Sequence, residues 1–188
     1  MSKLKASNIL FDFNRERELT AAPPSAEEFA QLYSLHQALV RSVIYQITGL
    51  EALDDLVQET FIRIWKGMAS FRHEAKITSW IYRVSVNQAL DHIRSANRRQ
   101  EFADADAQEK SALDAGPEKL VTNRDLVTKA LLKLSEDHRT VIVLALLHEL
   151  PLAEVADVLG VSEGTVKSRL HYAKADLRKF LGEYGVKI

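Results

Sequence analysis

The chain of 188 residues contains no cysteine. Disulfides and thiolate zinc sites are therefore excluded, which suits a reducing, cytoplasmic setting. No apolar run approaches the roughly 20 residues needed to cross a bilayer, so no membrane insertion is expected. The N-terminus, MSKLKASNILFDFNRERELT, lacks the long apolar segment and small-residue cleavage site of a secretory signal. No segment reads as a strand, and no internal repeat is visible. Catalytic signatures are missing too. There is no Gly-rich phosphate loop and no nucleophile elbow, and His148-Glu149 is followed by Leu-Pro-Leu, which breaks the spacing of a zinc protease. No catalytic residue, metal site, cofactor or small-molecule substrate is expected.

Net charge is also nearly absent, at −1, but this total hides a segregation. Between residues 61 and 100, eight cations (Arg63, Lys66, Arg72, Lys76, Arg83, Arg94, Arg98, Arg99) face only Glu74 and Asp91. Residues 101–118 reverse the sign, with six acids against Lys110. From Ser162 to Leu181 five cations return against Glu163 and Asp176. Two basic segments with an acidic one between them imply contact with polyanions at two places.

The apolar content of 46% supports a core, and its spacing is helical throughout. Residues 1–24 end in Ala-Ala-Pro-Pro and read as a loose N-terminal tail, with at most a short helix near Ile9–Phe13. Ser25-Ala-Glu-Glu28 is a capping box that opens a first helix running to Gly49. Its apolar positions are Phe29, Leu32, Tyr33, Leu39, Val40, Val43, Ile44 and Ile47. A second helix is predicted from Glu51 to Lys66, stopping at Gly67, with Glu51, Asp54 and Asp55 in the dipole-favoured first turns. A loop from Ser70 to Lys76 leads to a third helix from Thr78 to Arg98. Residues 99–118 are poor in large apolar side chains and end in Gly116-Pro117, the composition of a flexible acidic linker. Helical spacing resumes over Leu120–Leu134 and Glu136–His148. The predicted fold is all-α, with two small helical domains at 25–98 and 119–182 and a C-terminal tail at 183–188.

The last third is the most specific. Pro151 suits a helix start. Leu152, Val155, Ala156 and Leu159 follow at i, i+3, i+4, i+7. Gly160 suits a left-handed C-cap, and Ser162 an N-cap for the next helix. That helix buries Val166, Leu170, Ala173 and Leu177, and turns basic residues elsewhere. The pattern is a helix-turn-helix, whose second helix enters the major groove. The same spacing also fits an ordinary helical hairpin with a solvated basic face.

The third helix carries a polar stripe of Arg83, Asn87, Asp91, Arg94 and Arg98 opposite Tyr82, Val86, Leu90 and Ile93. Before it stand Trp65, Phe71, Arg72, His73, Lys76 and Trp80. Cations interleaved with aromatics are what single-stranded nucleic acid requires, for phosphates and for unstacked bases. Trp65 and Trp80 fit equally well as packing between helices.

These residues resemble a known family. The run Asp54-Asp55-Leu56-Val57-Gln58-Glu59-Thr60-Phe61-Ile62-Arg63-Ile64-Trp65-Lys66, with Phe71, Thr78-Ser79-Trp80-Ile81-Tyr82-Arg83, Asn87, Leu90-Asp91 and Arg94, is similar to region two of bacterial RNA polymerase sigma factors. Val161-Ser162-Glu163-Gly164-Thr165-Val166-Lys167-Ser168-Arg169-Leu170 is similar to their region four. The order is right, and no region three domain lies between, as in the extracytoplasmic-function (ECF) group.

The resemblance implies a promoter-specificity subunit for transcription initiation. It implies docking of Asp54, Asp55, Leu56, Gln58, Glu59 and Ile62 on the β′ coiled coil of core RNA polymerase, and of region four on the β flap. It implies capture of a flipped base of the −10 element by Phe71, Arg72, His73, Lys76, Trp80, Arg83, Asn87, Arg94 and Arg98. Asn87 is the best base reader, because its amide offers a donor and an acceptor. Arg94, Arg98 and Arg99 suit phosphates. The −35 element would be read by Lys167, Ser168, His171 and Tyr172, with Arg169 and Lys174 on phosphates and Ser162, Glu163 and Thr165 at the helix start. Relatives often carry arginine where His171 or Tyr172 stands, so their −35 preferences do not transfer directly. An anti-sigma factor is an implied partner. The acids Asp104, Asp106, Glu109 and Asp114 would mimic nucleic acid in the polymerase cleft, or serve as a solubilising tether. Two other readings stay open: a standalone helix-turn-helix regulator, and a decoy that sequesters an anti-sigma factor. A sigma factor with its two modules on a flexible tether would bind promoter duplex weakly when alone.

Overall fold

The computed structural model describes residues 25–50, 53–68, 76–106 and 123–183, with residues 100–106, 123–125 and 183 described by backbone alone. Every regular element among them is helical, as predicted. The helices are α1 (Ala26–Thr48), α2 (Asp54–Met68), α3 (Ile77–Asp106), α4 (Asn123–Leu132), α5 (Glu136–Ile142), α6 (Leu152–Leu159) and α7 (Glu163–Glu183). A π-helical turn, Val143–Leu147, extends α5. The predicted short helix near residues 9–13, the loop residues Phe71, Arg72 and His73, and the acids Glu51, Glu109 and Asp114 lie outside the described residues.

The capping box forms as read. The Ser25 hydroxyl accepts from the Glu28 amide at 3.2 Å, and Glu28 accepts from the Ser25 amide at 2.6 Å. At the other end Gly49 takes φ 72°, the left-handed conformation that closes α1. Gly160 does the same for α6, at φ 66°. Two predicted ends move. Helix α2 does not stop at Gly67 but includes it, because Gly67 serves close packing: a Cβ there would lie 2.7 Å from the Trp80 ring. Helix α3 continues past Arg98 to Asp106, so the predicted linker opens as helix. Arg, Gln, Glu and Ala in that stretch are good helix formers, and this propensity outweighs the lack of large apolar residues.

The segment predicted as one helix to His148 changes pitch at Val143. The His148 amide donates to the Val143 carbonyl at 3.0 Å, a step of five residues. The turn ends at Glu149, which holds φ 55° without being glycine.

Two cores result. One lies within the first three helices, around Leu32, Val40, Ile44, Phe61, Ile64 and Ile81. The second was not foreseen. It joins Val43, Ile47, Tyr82, Val86 and Ala89 of α1 and α3 to Leu131, Val141, Leu144, Val155, Val158, Val166 and Ala173 of the C-terminal helices. The stripe Tyr82–Val86 therefore packs on the helix-turn-helix half as well as on α1 of its own half. The two halves are packed together rather than held apart.

Candidate nucleic-acid interface

Region by region, the residues singled out in the sequence meet different fates. On α2, Ile62 is 52% exposed, and Asp55 and Gln58 are also on the surface. Leu56 is not available for docking as predicted, because the α2 stripe turns it into the core. Asp54 is ion-paired with Arg41 of α1. Glu59 accepts from Gln88 at 2.8 Å, tying α2 to α3.

The polar stripe of α3 is real: Arg83, Asn87, Asp91, Arg94 and Arg98 are all exposed. Asp91 pairs with Arg63 of α2 at 3.2 Å. Trp80 is half-buried against Gly67, and Trp65 packs edge-on to Phe29 with ring centroids 4.7 Å apart. Both tryptophans thus pack between helices rather than standing free as stacking platforms.

Several groups of this stripe reach across to the C-terminal half. Arg83 donates to the Asp157 carbonyl near the end of α6. Arg94 lies 3.6 Å from Glu136, and Lys76 lies 3.8 Å from Glu154. Ser79 also donates to Glu154. A cleft of about 260 Å³ runs along the boundary, with Asn87 and Asp91 on one wall and Asp137, Thr140 and Val161 on the other.

Beneath these polar contacts lie a buried group and a half-buried one that the sequence did not flag. Arg139 is 8% exposed. Its guanidinium donates to the carbonyls of Leu131 (2.9 Å), Leu132 (3.0 Å) and Leu134 (2.9 Å), and to that of Ile47 in α1 (2.6 Å). One planar fork thereby joins carbonyls at the end of α1 in one half to carbonyls at and just beyond the end of α4 in the other. Burial pulls the Arg139 pKa down, and Glu136 opposes that shift. His148 forms the second bridge. Its Nε2 is 3.0 Å from Gln46 Oε1, and its Nδ1 is 3.1 Å from the Tyr82 hydroxyl. A neutral ring donating from Nε2 and accepting at Nδ1 satisfies both. Burial lowers the His148 pKa, and burial and then Glu154 raise that of Tyr82. His148 stood out as a polar residue closing an apolar run, whereas Arg139 lies in a polar stretch and carried no such signal; the partners of both in α1 are remote in sequence.

The helix-turn-helix follows its sequence pattern. Val155, Ala156, Val166, Leu170 and Ala173 are buried, and Leu152, Leu159 and Leu177 are half-buried. Ser162 caps α7, accepting from the Thr165 amide at 3.1 Å. Thr165 also hydrogen-bonds Ser162 through its hydroxyl, and Glu163 pairs with Lys167 at 2.7 Å. Ser162 and Thr165 therefore shape the helix start before they could touch DNA. Arg169 is held by Asp137 at 2.6 Å. Lys167, Ser168, His171, Tyr172 and Lys174 point outward, with Tyr172 61% exposed.

Among the described residues, no cluster of His, Asp or Glu could hold a metal ion, and no helix is long and apolar enough to cross a membrane. Comparison with known proteins bears on both halves. The family model for Sigma-70 region 2 matches residues 32–99, and that for Sigma-70, region 4 matches residues 130–179. The ECF RNA polymerase sigma factor SigL of Mycobacterium tuberculosis (strain ATCC 25618 / H37Rv) is 35% identical over 170 residues, spanning 88% of this chain and 96% of SigL. The ECF RNA polymerase sigma factor SigW of Bacillus subtilis (strain 168) is 30% identical over 168 residues, 82% of this chain and 89% of SigW. Among solved structures, the sigma factor RpoE in complex with the anti-sigma factor NepR from Bartonella quintana superposes with a TM-score of 0.68 at 25% identity, covering 84% of this chain and 98% of RpoE. CnrH, in complex with the cytosolic domain of CnrY, gives 0.65 at 25% identity, covering 95% of this chain and 98% of CnrH.

Proposed function

Because this chain belongs to the extracytoplasmic-function sigma factors of bacterial RNA polymerase, we propose that α3 reads its −10 element, α7 reads its −35 element, and α2 docks on the polymerase core. As a sigma factor it is a regulatory DNA-binding subunit that selects promoters. It acts in the cytoplasm and is not itself an enzyme, since the polymerase supplies the chemistry. Residues 25–98 serve as region two and 119–182 as region four.

The observation that carries the residue assignment is the pairing of two exposed polar faces on one chain. Asn87 stands among Arg83, Arg94 and Arg98 on α3, and Lys167, Ser168, His171, Tyr172 and Lys174 stand on α7. On α3, Asn87 reads a flipped base, while Lys76 and the arginines neutralise phosphates. Trp80 acts by fixing the start of α3 against Gly67 rather than by stacking. On α7, the outward residues enter the major groove, and Ser162 and Thr165 set the helix start. On α2, Asp55, Gln58 and Ile62 offer an acidic and apolar surface to a basic-apolar partner helix. The solved relative RpoE was captured with the anti-sigma factor NepR, which supports an anti-sigma factor as a partner here.

The test is reconstitution. The purified chain should co-elute with core RNA polymerase, compete with the housekeeping sigma factor, and direct run-off transcription from discrete promoters. A folded chain that does neither would move the standalone regulator or the decoy to the front. Within the holoenzyme, Asn87→Ala should impair promoter opening and leave core binding intact. Loss of both would make Asn87 structural.

A further inference from the structure

The first two helices leave an apolar edge uncovered near the start of α1. Phe29 of α1 packs edge-on to Trp65 of α2, and the Tyr33 and Phe61 rings lie 4.5 Å apart between centroids. Phe61 is buried, but the rest of this cluster is not. Tyr33 is 38% exposed, Ile62 is 52% exposed, and Phe29 and Trp65 are half-buried. Ile62 stands three residues before Trp65, so the two share one side of α2. Large apolar side chains gathered on one edge mark an interaction surface, unlike single ones scattered over a protein.

The chain carries a segment that fits this edge. Residues 1–24 lead directly into the Ser25 cap, one helical turn before Phe29. Their densest apolar run is Ile9-Leu10-Phe11-Asp12-Phe13, and Lys3 and Lys5 lie on its far side. Residues 14–24 span up to roughly 35–40 Å when extended. Tyr33 lies only about 12 Å along the helix axis from Ser25, so the run reaches the edge with length to spare. Helices α1 and α2 are antiparallel, since Phe29 meets Trp65 and Arg41 meets Asp54. A chain turning back from Ser25 along this pair passes Trp65, then Tyr33 and Ile62, then the acidic start of α2 at Asp55. The segment has the same order: an apolar run, then two cations.

We propose that residues 3–13 dock along the edge of Phe29, Tyr33, Ile62 and Trp65, with Phe11 and Phe13 as anchors and Lys3 and Lys5 facing Asp55. A segment joined by so short a connection acts at an effective concentration on the order of millimolar, so weak contacts suffice. Asp55 and Ile62 also belong to the surface that α2 offers core polymerase, so the docked segment competes with the polymerase. That consequence rests on the reading of α2 as the core-docking helix; the docking does not.

Trp65 and Trp80 are the only tryptophans, so cover over Trp65 is read by acrylamide quenching of intrinsic fluorescence. The full-length chain carrying Phe11→Ser and Phe13→Ser, which alter none of the helices α1–α7, should be quenched at least twofold more steeply than the unaltered chain. Trp65→Phe in both chains should abolish the difference. Equal quenching, or a difference that survives Trp65→Phe, overturns the proposal. Quenching of the unaltered chain that steepens on dilution also overturns it, because a second copy then covers the edge. In titrations against core RNA polymerase, the double variant should bind at least fivefold more tightly. A quenching difference with unchanged core affinity upholds the docking and removes α2 as the core-docking helix.

Discussion

The two DNA-reading surfaces of this chain are built alike and presented differently. Each is a polar stripe on a helix whose opposite face is apolar. On α7 the stripe faces outward: Tyr172 is 61% exposed, and Lys167 pairs only with Glu163 of its own helix. On α3, Arg83 and Arg94 reach the Asp157 carbonyl and Glu136 of the other half, and Lys76 just before the helix reaches Glu154. The apolar sides do not differ: Val166, Leu170 and Ala173 of α7 and Tyr82, Val86 and Ala89 of α3 lie in one shared core, with Val43 and Ile47 of α1. A tether alone was expected to keep the free chain from gripping promoters. The packed boundary adds a second constraint: Arg83 and Arg94 are engaged by the other half while remaining exposed.

The largest effect should come from cutting the boundary at its buried cation. Arg139→Ala removes this donor from the carbonyls of Ile47, Leu132 and Leu134, while that of Leu131 keeps the Leu134 amide. Each unsatisfied buried group costs about 1–3 kcal/mol, so a loss of more than 3 kcal/mol is expected in chemical denaturation. Arg139→Lys should restore little of it, because an ammonium cannot span four acceptors in a plane.

Next is a change confined to region two. Gly67→Ala places a Cβ 2.7 Å from Trp80 and should destabilise by about 1–3 kcal/mol. Circular dichroism melting would read this loss. Binding of α7 to −35 duplex should be unaltered.

The converse, confined to region four, is Ser162→Ala. Loss of this cap should cost about 1 kcal/mol. It should also weaken −35 duplex binding without altering the compactness of the chain in X-ray scattering.

The smallest effect is on pH. Burial depresses the His148 pKa from 6.5, so the separated or unfolded chain binds the proton more readily than the packed one. Stability from this group is therefore complete above 6.5 and is lost as pH falls below it toward the depressed value. His36, buried in α1, shifts in the same direction and adds to the loss. Melting temperature should fall modestly between neutral and mildly acidic pH. His148→Gln should reduce that fall, leaving the part due to His36.

Local features were legible in the sequence because their causes are local. The capping box at Ser25 and Glu28, the left-handed glycines at 49 and 160, the Ser162 cap and the buried stripe of α7 all follow from residues within one or two turns of each other. The roles of Gly67, Arg139 and His148 were not legible. Gly67 resembles a stop signal until Trp80 is seen against it. Arg139 and His148 become bridges between the halves only through partners far away in sequence, Ile47 for one and Gln46 and Tyr82 for the other. The stripe Tyr82–Val86 was read correctly as apolar, but periodicity cannot say which half covers it. The same holds for the site: the sequence pattern marked which side chains are polar and in register, and the long-range packing decided which of them are engaged.

The most direct measurement is the distance between the two halves, with and without polymerase. Spin labels on cysteines introduced by Gln37→Cys on α1 and Ala175→Cys on α7 sit at exposed positions, one in each half. Pulsed electron resonance on the free chain should give one short, narrow distance distribution. Binding to core polymerase should replace it with a longer one. A broad distribution in the free chain would contradict the shared core between the halves, and the same distribution in both states would contradict a chain whose two DNA-reading helices are set apart by the polymerase.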